Sequence, residues 1–234
     1  MTNPIYKPKG AAGEYGDLAL NIYTGCNHGC TYCFAPSILR KSTAQFSNVE
    51  PRSDIYGSVK RQLLREEMTG QLIHLCFTCD PYPANIDTKI TRAIIRLIKY
   101  SGNNIQILTK GGNRASRDFD LLDANDSFGV TVTSYDSFSC EPDAAPTEER
   151  LDTLREAKAL GIKTWVSCEP VVDPDFVCHL IKSADYIDTF KIGKLNHRRS
   201  EIDWKSFGAT CIALCERYGR SYYIKADLLK YLKE

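Results

Sequence analysis

Gly25-Cys26-Asn27-His28-Gly29-Cys30-Thr31-Tyr32-Cys33 puts three cysteines within eight residues, with Gly25 and Gly29 permitting sharp turns between them. An apolar run over 18–23 precedes the triplet and reads as a strand, so the cysteines fall at its carboxyl end. The same grammar recurs along the chain. Strands are expected over 72–78, 105–109, 128–133, 163–167 and 186–192, with 222–225 as a seventh candidate. Several are apolar at most positions, as in strands covered on both faces. Helix patterns lie between them. Ile90, Ile94, Leu97 and Ile98 share one face of a helix that stops at Gly102. Thr147 reads as the N-cap of a helix that carries Glu148 and Glu149 in its first turn and ends at Gly161. A further helix covers Asp203 to about Arg217.

Strand and helix alternating in this way predict an α/β fold with a parallel sheet, either open and doubly wound or rolled into a full or partial barrel. In both architectures chemistry gathers at the carboxyl ends of the strands. Each polar cluster falls there: Thr78-Cys79-Asp80-Pro81-Tyr82 after the second strand, Thr109-Lys110-Gly111-Gly112 after the third, and Thr133-Ser134-Tyr135-Asp136 after the fourth. Cys168-Glu169-Pro170 follows the fifth, and Lys191, Lys194 and Asn196 end the sixth. With no linker-like tract or composition break, residues 1–234 read as one domain: an arm over 1–16, a barrel core over 17–200 and a helical extension over 201–234.

Composition narrows the function. The longest unbroken apolar run, 211–215, is far short of the roughly 20 residues a membrane-spanning helix needs. The sequence begins without a secretory signal pattern, so a cytoplasmic location without membrane association is expected. Thirty basic against 29 acidic residues give a net charge of +1, which provides no bulk attraction for nucleic acid. In that setting ten cysteines point to metal or redox chemistry rather than disulfides. Three thiolates are one short of a closed zinc site or a fully protein-ligated cluster, and leave one metal corner open. A zinc knuckle completed by His28 or a remote cysteine is the alternative.

The CxxxCxxC loop with Tyr32 before its last cysteine, set after the first strand of a βα repeat, resembles the radical S-adenosylmethionine superfamily. The resemblance is nearest its spore photoproduct lyase-like branch. It extends over Asn21-Ile22-Tyr23-Thr24 and the triplet, Thr109-Lys110, Thr133-Ser134, and Glu141-Pro142-Asp143-Ala144-Ala145-Pro146 leading to Arg150-Leu151. It implies a partial (β/α)6 barrel in which Cys26, Cys30 and Cys33 hold a [4Fe–4S] cluster. The open iron would bind S-adenosyl-L-methionine, and reduction would give methionine and a 5′-deoxyadenosyl radical. By the same resemblance Lys110 would meet the cofactor's carboxylate, Ser134 its ribose or amino-acid end, and Tyr32 its adenine. Thr78 or Asp80 would take its amino group, and Glu169 could contact cofactor or substrate. Helix capping by Thr78 and Ser134, an Asx turn at Asp80 and solvated Lys110 and Glu169 are the structural alternatives.

Cys76, Cys79 and Cys140 are candidates for a thiol that returns hydrogen to a substrate radical, with Cys168 a rival. Strand alternation would put Cys76 and Cys79 on opposite faces. Cys178, Cys211 and Cys215 read as core, no auxiliary cluster is expected, and His74 and His179 read as satisfied or surface histidines. His197-Arg198-Arg199 with Lys194, and Arg40-Lys41, are short basic stretches able to hold phosphate. The expected substrate is a nucleic-acid base or nucleotide, in a photoproduct lyase-like repair reaction, with a reducing partner such as flavodoxin or ferredoxin. Alternatives are DNA base modification or isomerisation, radical modification of a peptide or small metabolite, and a non-enzymatic metal-stabilised binding protein.

Overall fold

Residues 3–196 and 198–233 are described by a computed structural model. Eight strands form one open sheet in chain order: β1 (Ile5–Tyr6), β2 (Leu18–Leu20), β3 (Leu72–Leu75), β4 (Asn104–Thr109), β5 (Ser127–Thr131), β6 (Lys163–Cys168), β7 (Thr189–Ile192) and β8 (Ser221–Ile224). β1 runs antiparallel to β2, and every later pairing is parallel. The crossovers carry α1 (Ala35–Ile38), α2 (Thr43–Ser47), α3 (Ile55–Arg65), α4 (Lys89–Tyr100), α5 (Thr147–Ala159), α6 (Pro174–Ser183) and α7 (Trp204–Arg217). After β8 comes α8 (Ala226–Leu232), and a 3-10 segment, Gly112–Leu121, takes the place of a helix after β4. No helix among the described residues is long and apolar enough to cross a membrane.

Strand periodicity divides the sheet into two unlike faces. Ile73 and Leu75 of β3, Ile105 and Ile107 of β4, Phe128 and Val130 of β5, and Phe190 and Ile192 of β7 are buried in the hydrophobic core. The alternate positions point the other way, into the barrel, and are polar, aromatic or small: Ala19 opposite His74, His74 opposite Gln106, Gly129 opposite Trp165 and Ser167 opposite Lys191. The expectation of strands apolar on both sides is corrected here, because the inner face is a built polar surface.

The N-terminal arm fills that interior. β1 extends the sheet, and residues 10–15 then pass across the barrel. Gln106 Nε2 donates to the Tyr15 carbonyl at 2.8 Å, and Lys191 Nζ reaches the Glu14 and Tyr15 carbonyls at 3.2 and 3.1 Å. Tyr223 Oη and the Ala226 amide both donate to Glu14 Oε1, at 3.1 and 2.6 Å, tying the arm to the β8 side. Within 201–234, β8 lies at the seventh-strand candidate over 222–225, parallel to β7 and between two helices. Thr147 also departs from expectation: it is the first residue of α5, with Pro146 at the cap, and its hydroxyl donates to the Ser134 carbonyl at 2.8 Å. Asp203 does cap α7, accepting from the Ser206 amide at 3.0 Å.

Gly129 is demanded by packing. A Cβ there would overlap the Trp165 indole, which lies across the neighbouring strand. Gly129→Ala is therefore expected to lower unfolding free energy by about 1–3 kcal/mol through overpacking. Urea unfolding checks this, with a lower midpoint and an unchanged slope expected.

Candidate active site

A cavity of about 420 Å³ opens at the carboxyl ends of the strands, and Cys26, Cys30 and Cys33 all line it. The triplet's loop is fastened on three sides. The Cys26 amide donates to the Phe46 carbonyl at 3.0 Å, an approach so close that any side chain at Gly25 would strike that carbonyl. Asn27 exchanges two hydrogen bonds with the Ala84 backbone, at 2.6 and 3.0 Å. His28 is buried with Nδ1 3.5 Å from Asp80 and Nε2 accepting from Arg114 at 3.1 Å. Burial lowers its pKa, consistent with a neutral ring that accepts from a guanidinium.

Both ring nitrogens of His28 are thus engaged away from the thiols. Moreover, no three His, Cys, Asp or Glu side chains among the described residues are close enough to share one metal ion. Sulfurs around a single tetrahedral zinc sit only about 3.8 Å apart, given Zn–S of about 2.3 Å. Cluster ligands bind separate irons and stand farther apart. The donor set therefore fits a multi-iron cluster better than the zinc knuckle.

Asp80 organises the floor of the site. It accepts from Thr109 Oγ1 at 2.6 Å, from the Tyr82 amide at 2.8 Å and from the Lys110 amide at 2.9 Å, besides facing His28. Its oxygens are fully used, and the Asx turn expected as the structural reading is present. Thr78 is the opposite case. Its hydroxyl is buried with no hydrogen-bond partner among the described residues, and the residue lines the cavity. A buried polar atom left in that condition fits a ligand that completes it.

A charged group faces the triplet from β4. Lys110 lines the cavity with Nζ 4.0 Å from Glu141 and 5.6 Å from the Tyr32 ring centre. Tyr32 donates its hydroxyl to Glu141, and Arg150 pairs with Glu141 at 2.6 Å, both partners of that pair being fully buried. Burial alone would raise the Glu141 pKa, but Lys110 and Arg150 hold it below the usual carboxylate value. Burial likewise opposes the charge on Lys110, and Cys30 and Glu141 outweigh it. Glu141 was legible as part of a family-like segment, but its junction with Tyr32, Lys110 and Arg150 was not.

The other nominated residues divide between cavity and periphery. Cys76 and Cys79 both line the cavity, contrary to strand alternation, because β3 ends at Leu75 and Cys76 takes a left-handed φ of 71°. Asn21, for which the sequence suggested no role, fixes this turn by accepting from the Phe77 and Thr78 amides at 2.8 and 2.9 Å. Glu169 lines the cavity but is held by Lys225, by Asn196 at 2.9 Å and by Tyr15 Oη at 3.1 Å. Ser134 and Cys140 are not among the lining residues: Ser134 Oγ donates to the Asp136 carbonyl and Cys140 Sγ to the Ser137 carbonyl. Cys168, Cys211 and Cys215 are buried in the core, with Cys178 packed against it. His74 is buried and stacked on Phe77, while His179 is exposed. Of the basic stretches, Lys41 donates to the Thr24 carbonyl, Arg198 to the Thr31 carbonyl beside the triplet, and Lys194 lines the cavity. His197 lies outside the described residues.

The model of the radical SAM superfamily matches residues 20–185. Among curated relatives, an uncharacterized protein of Acidianus two-tailed virus is 28% identical over 76% of this chain and 67% of its own length. One of Methanocaldococcus jannaschii is 26% identical over 74% and 66%, and one of Mycobacterium tuberculosis 26% over 72% and 52%. The chain thus spans about half to two thirds of the length of these relatives. Among solved structures, spore photoproduct lyase complexed with a dinucleoside spore photoproduct superposes with a TM-score of 0.69 at 14% identity, covering 95% of this chain and 79% of that one. Streptococcus suis SuiB bound to S-adenosylmethionine gives 0.65 at 12% identity, covering 91% and 52%. These likenesses establish the fold, a mostly parallel partial barrel. With the family model covering most of the chain and the cysteine triplet at the mouth of that barrel, the chain belongs to the radical SAM superfamily, which implies S-adenosylmethionine and an iron–sulfur cluster.

Proposed function

We propose that this chain is a radical enzyme in which Cys26, Cys30 and Cys33 hold a [4Fe–4S] cluster and the adjoining cavity holds S-adenosylmethionine. The observation that carries the reading is the pairing of an unpartnered buried Thr78 hydroxyl with the Lys110 ammonium around one thiol-lined cavity. When bound, the group supplies an electron that splits the sulfonium into methionine and a 5′-deoxyadenosyl radical able to take hydrogen from a substrate. The chain's own residues bind and orient. Thr78 completes its hydrogen bonding on the cofactor's amino group. Lys110 attracts its carboxylate, and Glu141 with Arg150 keeps Lys110 and Tyr32 in place.

For the substrate, a nucleic-acid base or nucleotide is the preferred class, in a lyase- or isomerase-type reaction. The support is physical and local. Phe34 and Ile38 are exposed on the cavity wall beside Cys33, and Lys194 is part of the same lining. Aromatic faces for stacking interleaved with cations for phosphate suit a nucleotide better than a neutral metabolite. The likeness to a spore photoproduct lyase complexed with a dinucleoside spore photoproduct agrees with that class. Transfer of deuterium from a labelled oligonucleotide into 5′-deoxyadenosine checks it. Label arriving only from a peptide or a small metabolite overturns the substrate assignment while leaving the radical chemistry intact.

Anaerobic reconstitution checks the chemistry. About four irons per chain and dithionite-dependent release of 5′-deoxyadenosine are expected. Cys30→Ala should abolish both. Bound zinc with no cleavage would overturn the reading. Thr78→Val and Lys110→Ala should retain the iron yet weaken S-adenosylmethionine binding by ten- to a hundredfold, as expected when one hydrogen bond to a charged group worth about 1.5–3 kcal/mol is lost. Equilibrium binding to the reconstituted protein measures it, and unchanged affinity in either variant removes that residue from the cofactor site.

A further inference from the structure

Cys76 and Cys79 are brought together by a feature that strand periodicity does not supply. The backbone leaves β3 at Leu75, turns through the left-handed conformation at Cys76, and returns with Cys79 facing the same cavity. Left-handed backbone disfavours a side chain and suits glycine, yet the position carries a thiol. The turn is held from below: Asn21 Oδ1 takes the amides of Phe77 and Thr78 and stands 3.9 Å from Cys79 Sγ, while Asn21 Nδ2 donates to Tyr6 Oη at 2.7 Å. Cys76 and Cys79 stand three residues apart across this turn, and both border the same cavity. Cys76 is 5% exposed and Cys79 partly exposed, so the pair meets the cavity rather than bulk solvent.

We propose that Cys76 and Cys79 act together as a redox-active dithiol that closes to a disulfide during turnover, making the site a source of two electrons rather than of a single hydrogen atom. The role in turnover rests on the function proposed above; the redox competence of the pair does not. One thiol gives a hydrogen atom to the substrate-derived radical. The sulfur radical left behind bonds to the second sulfur as that thiol releases its proton, and a bound cluster, oxidised in the cleavage step, would take up the surplus electron. Two S–H bonds break and one S–S bond forms. Two electrons and two protons leave the pair, matching the two electrons and one proton that convert S-adenosylmethionine to methionine and 5′-deoxyadenosine, with one proton left over. A dithiol reductant of the thioredoxin class then reopens the disulfide by exchange.

The state of Cys79 agrees with this arrangement. Burial would push its pKa up, but the Cys76 thiol, the Tyr23 backbone and Arg52 bring it below the ordinary thiol value, while burial and the Cys79 sulfur push Cys76 up. One sulfur of the pair is thus the nucleophile and the other the hydrogen carrier.

Trypsin cuts after Arg65 and Lys89, and the peptide 66–89 contains these two cysteines and no others, so cluster thiols cannot confuse the readout. The wild-type chain, without cluster or cofactor, is equilibrated across glutathione redox buffers, alkylated, digested and weighed. The expected result is that oxidising buffer shifts this peptide to a form lacking two hydrogens and both alkyl groups, and that Cys79→Ser abolishes that shift. Recovery of the peptide with both cysteines alkylated throughout, or with glutathione on one of them and no internal disulfide, overturns the proposal. The same peptide is then weighed after a single dithionite-initiated turnover of the reconstituted protein, alongside assay for 5′-deoxyadenosine. Both disulfide and 5′-deoxyadenosine are expected. 5′-deoxyadenosine with both thiols intact overturns the turnover role alone, whereas disulfide competence in glutathione without any 5′-deoxyadenosine overturns the radical reading.

Discussion

The Asp80 carboxylate is the constraint on which the site depends. Three loops that leave different strands must meet at one point on this residue: the Tyr82 amide of its own turn donates to it, Thr109 and the Lys110 amide donate from the end of β4, and the His28 ring of the cysteine loop stands 3.5 Å away. A carboxylate accepting several donors is held in one orientation, and each donor fixes one loop relative to the others. Parallel strands alone bring their carboxyl ends to the same edge of a barrel. They do not set the spacing between loops. Asp80 does, and so it positions the cysteine triplet against Lys110.

A second buried network sets the electrostatics on the opposite wall. The Arg150–Glu141 pair is fully buried, and such pairs contribute little net stability after desolvation. Its value here is orientation. Arg150 Nε donates to the Ala145 carbonyl at 2.7 Å and Nη1 to the Thr131 carbonyl at 2.9 Å, so the guanidinium is fixed by backbone before it meets Glu141. Glu141 then carries the Tyr32 hydroxyl and faces Lys110. Without that carboxylate, a buried lysine beside a buried arginine would tend to lose its proton. A cation is thereby kept on the cavity wall, across from the cysteine loop.

The βα alternation and the triplet were legible in the sequence because both are local signals: apolar runs of strand length, and three thiols within one loop. The strand ends were not. β2 and β3 stop at Leu20 and Leu75, three residues before their apolar runs do; Asn21, the residue after β2, holds the turn after β3 by accepting from the Phe77 and Thr78 amides, more than fifty residues away. Extending the strand through Thr78 carried its alternation with it, and that placed Cys76 and Cys79 on opposite faces. The polar N-terminal arm was equally opaque. Nothing in a window around Tyr15 announces that its partners are Gln106, Ser167, Glu169 and Lys191.

Those distant partners also sort the nominated residues by what each side chain has left to offer a ligand. Asp80 and Glu169 both face the cavity and both are acidic, so sequence alone ranks them equally with Thr78. In the folded chain Asp80 is saturated by the loops it joins, and Glu169 by Lys225, Asn196 and Tyr15. Recruiting either to a ligand would break contacts that hold the barrel or its loops together, and a buried carboxylate stripped of donors is strongly destabilising. The Thr78 hydroxyl already stands buried without a partner among the described residues, so ligand binding recovers a hydrogen bond instead of sacrificing one. The same reasoning separates Ser134, whose hydroxyl is committed to the Asp136 carbonyl, from Lys110, whose ammonium reaches Glu141 only at 4.0 Å and keeps donors free for the cavity.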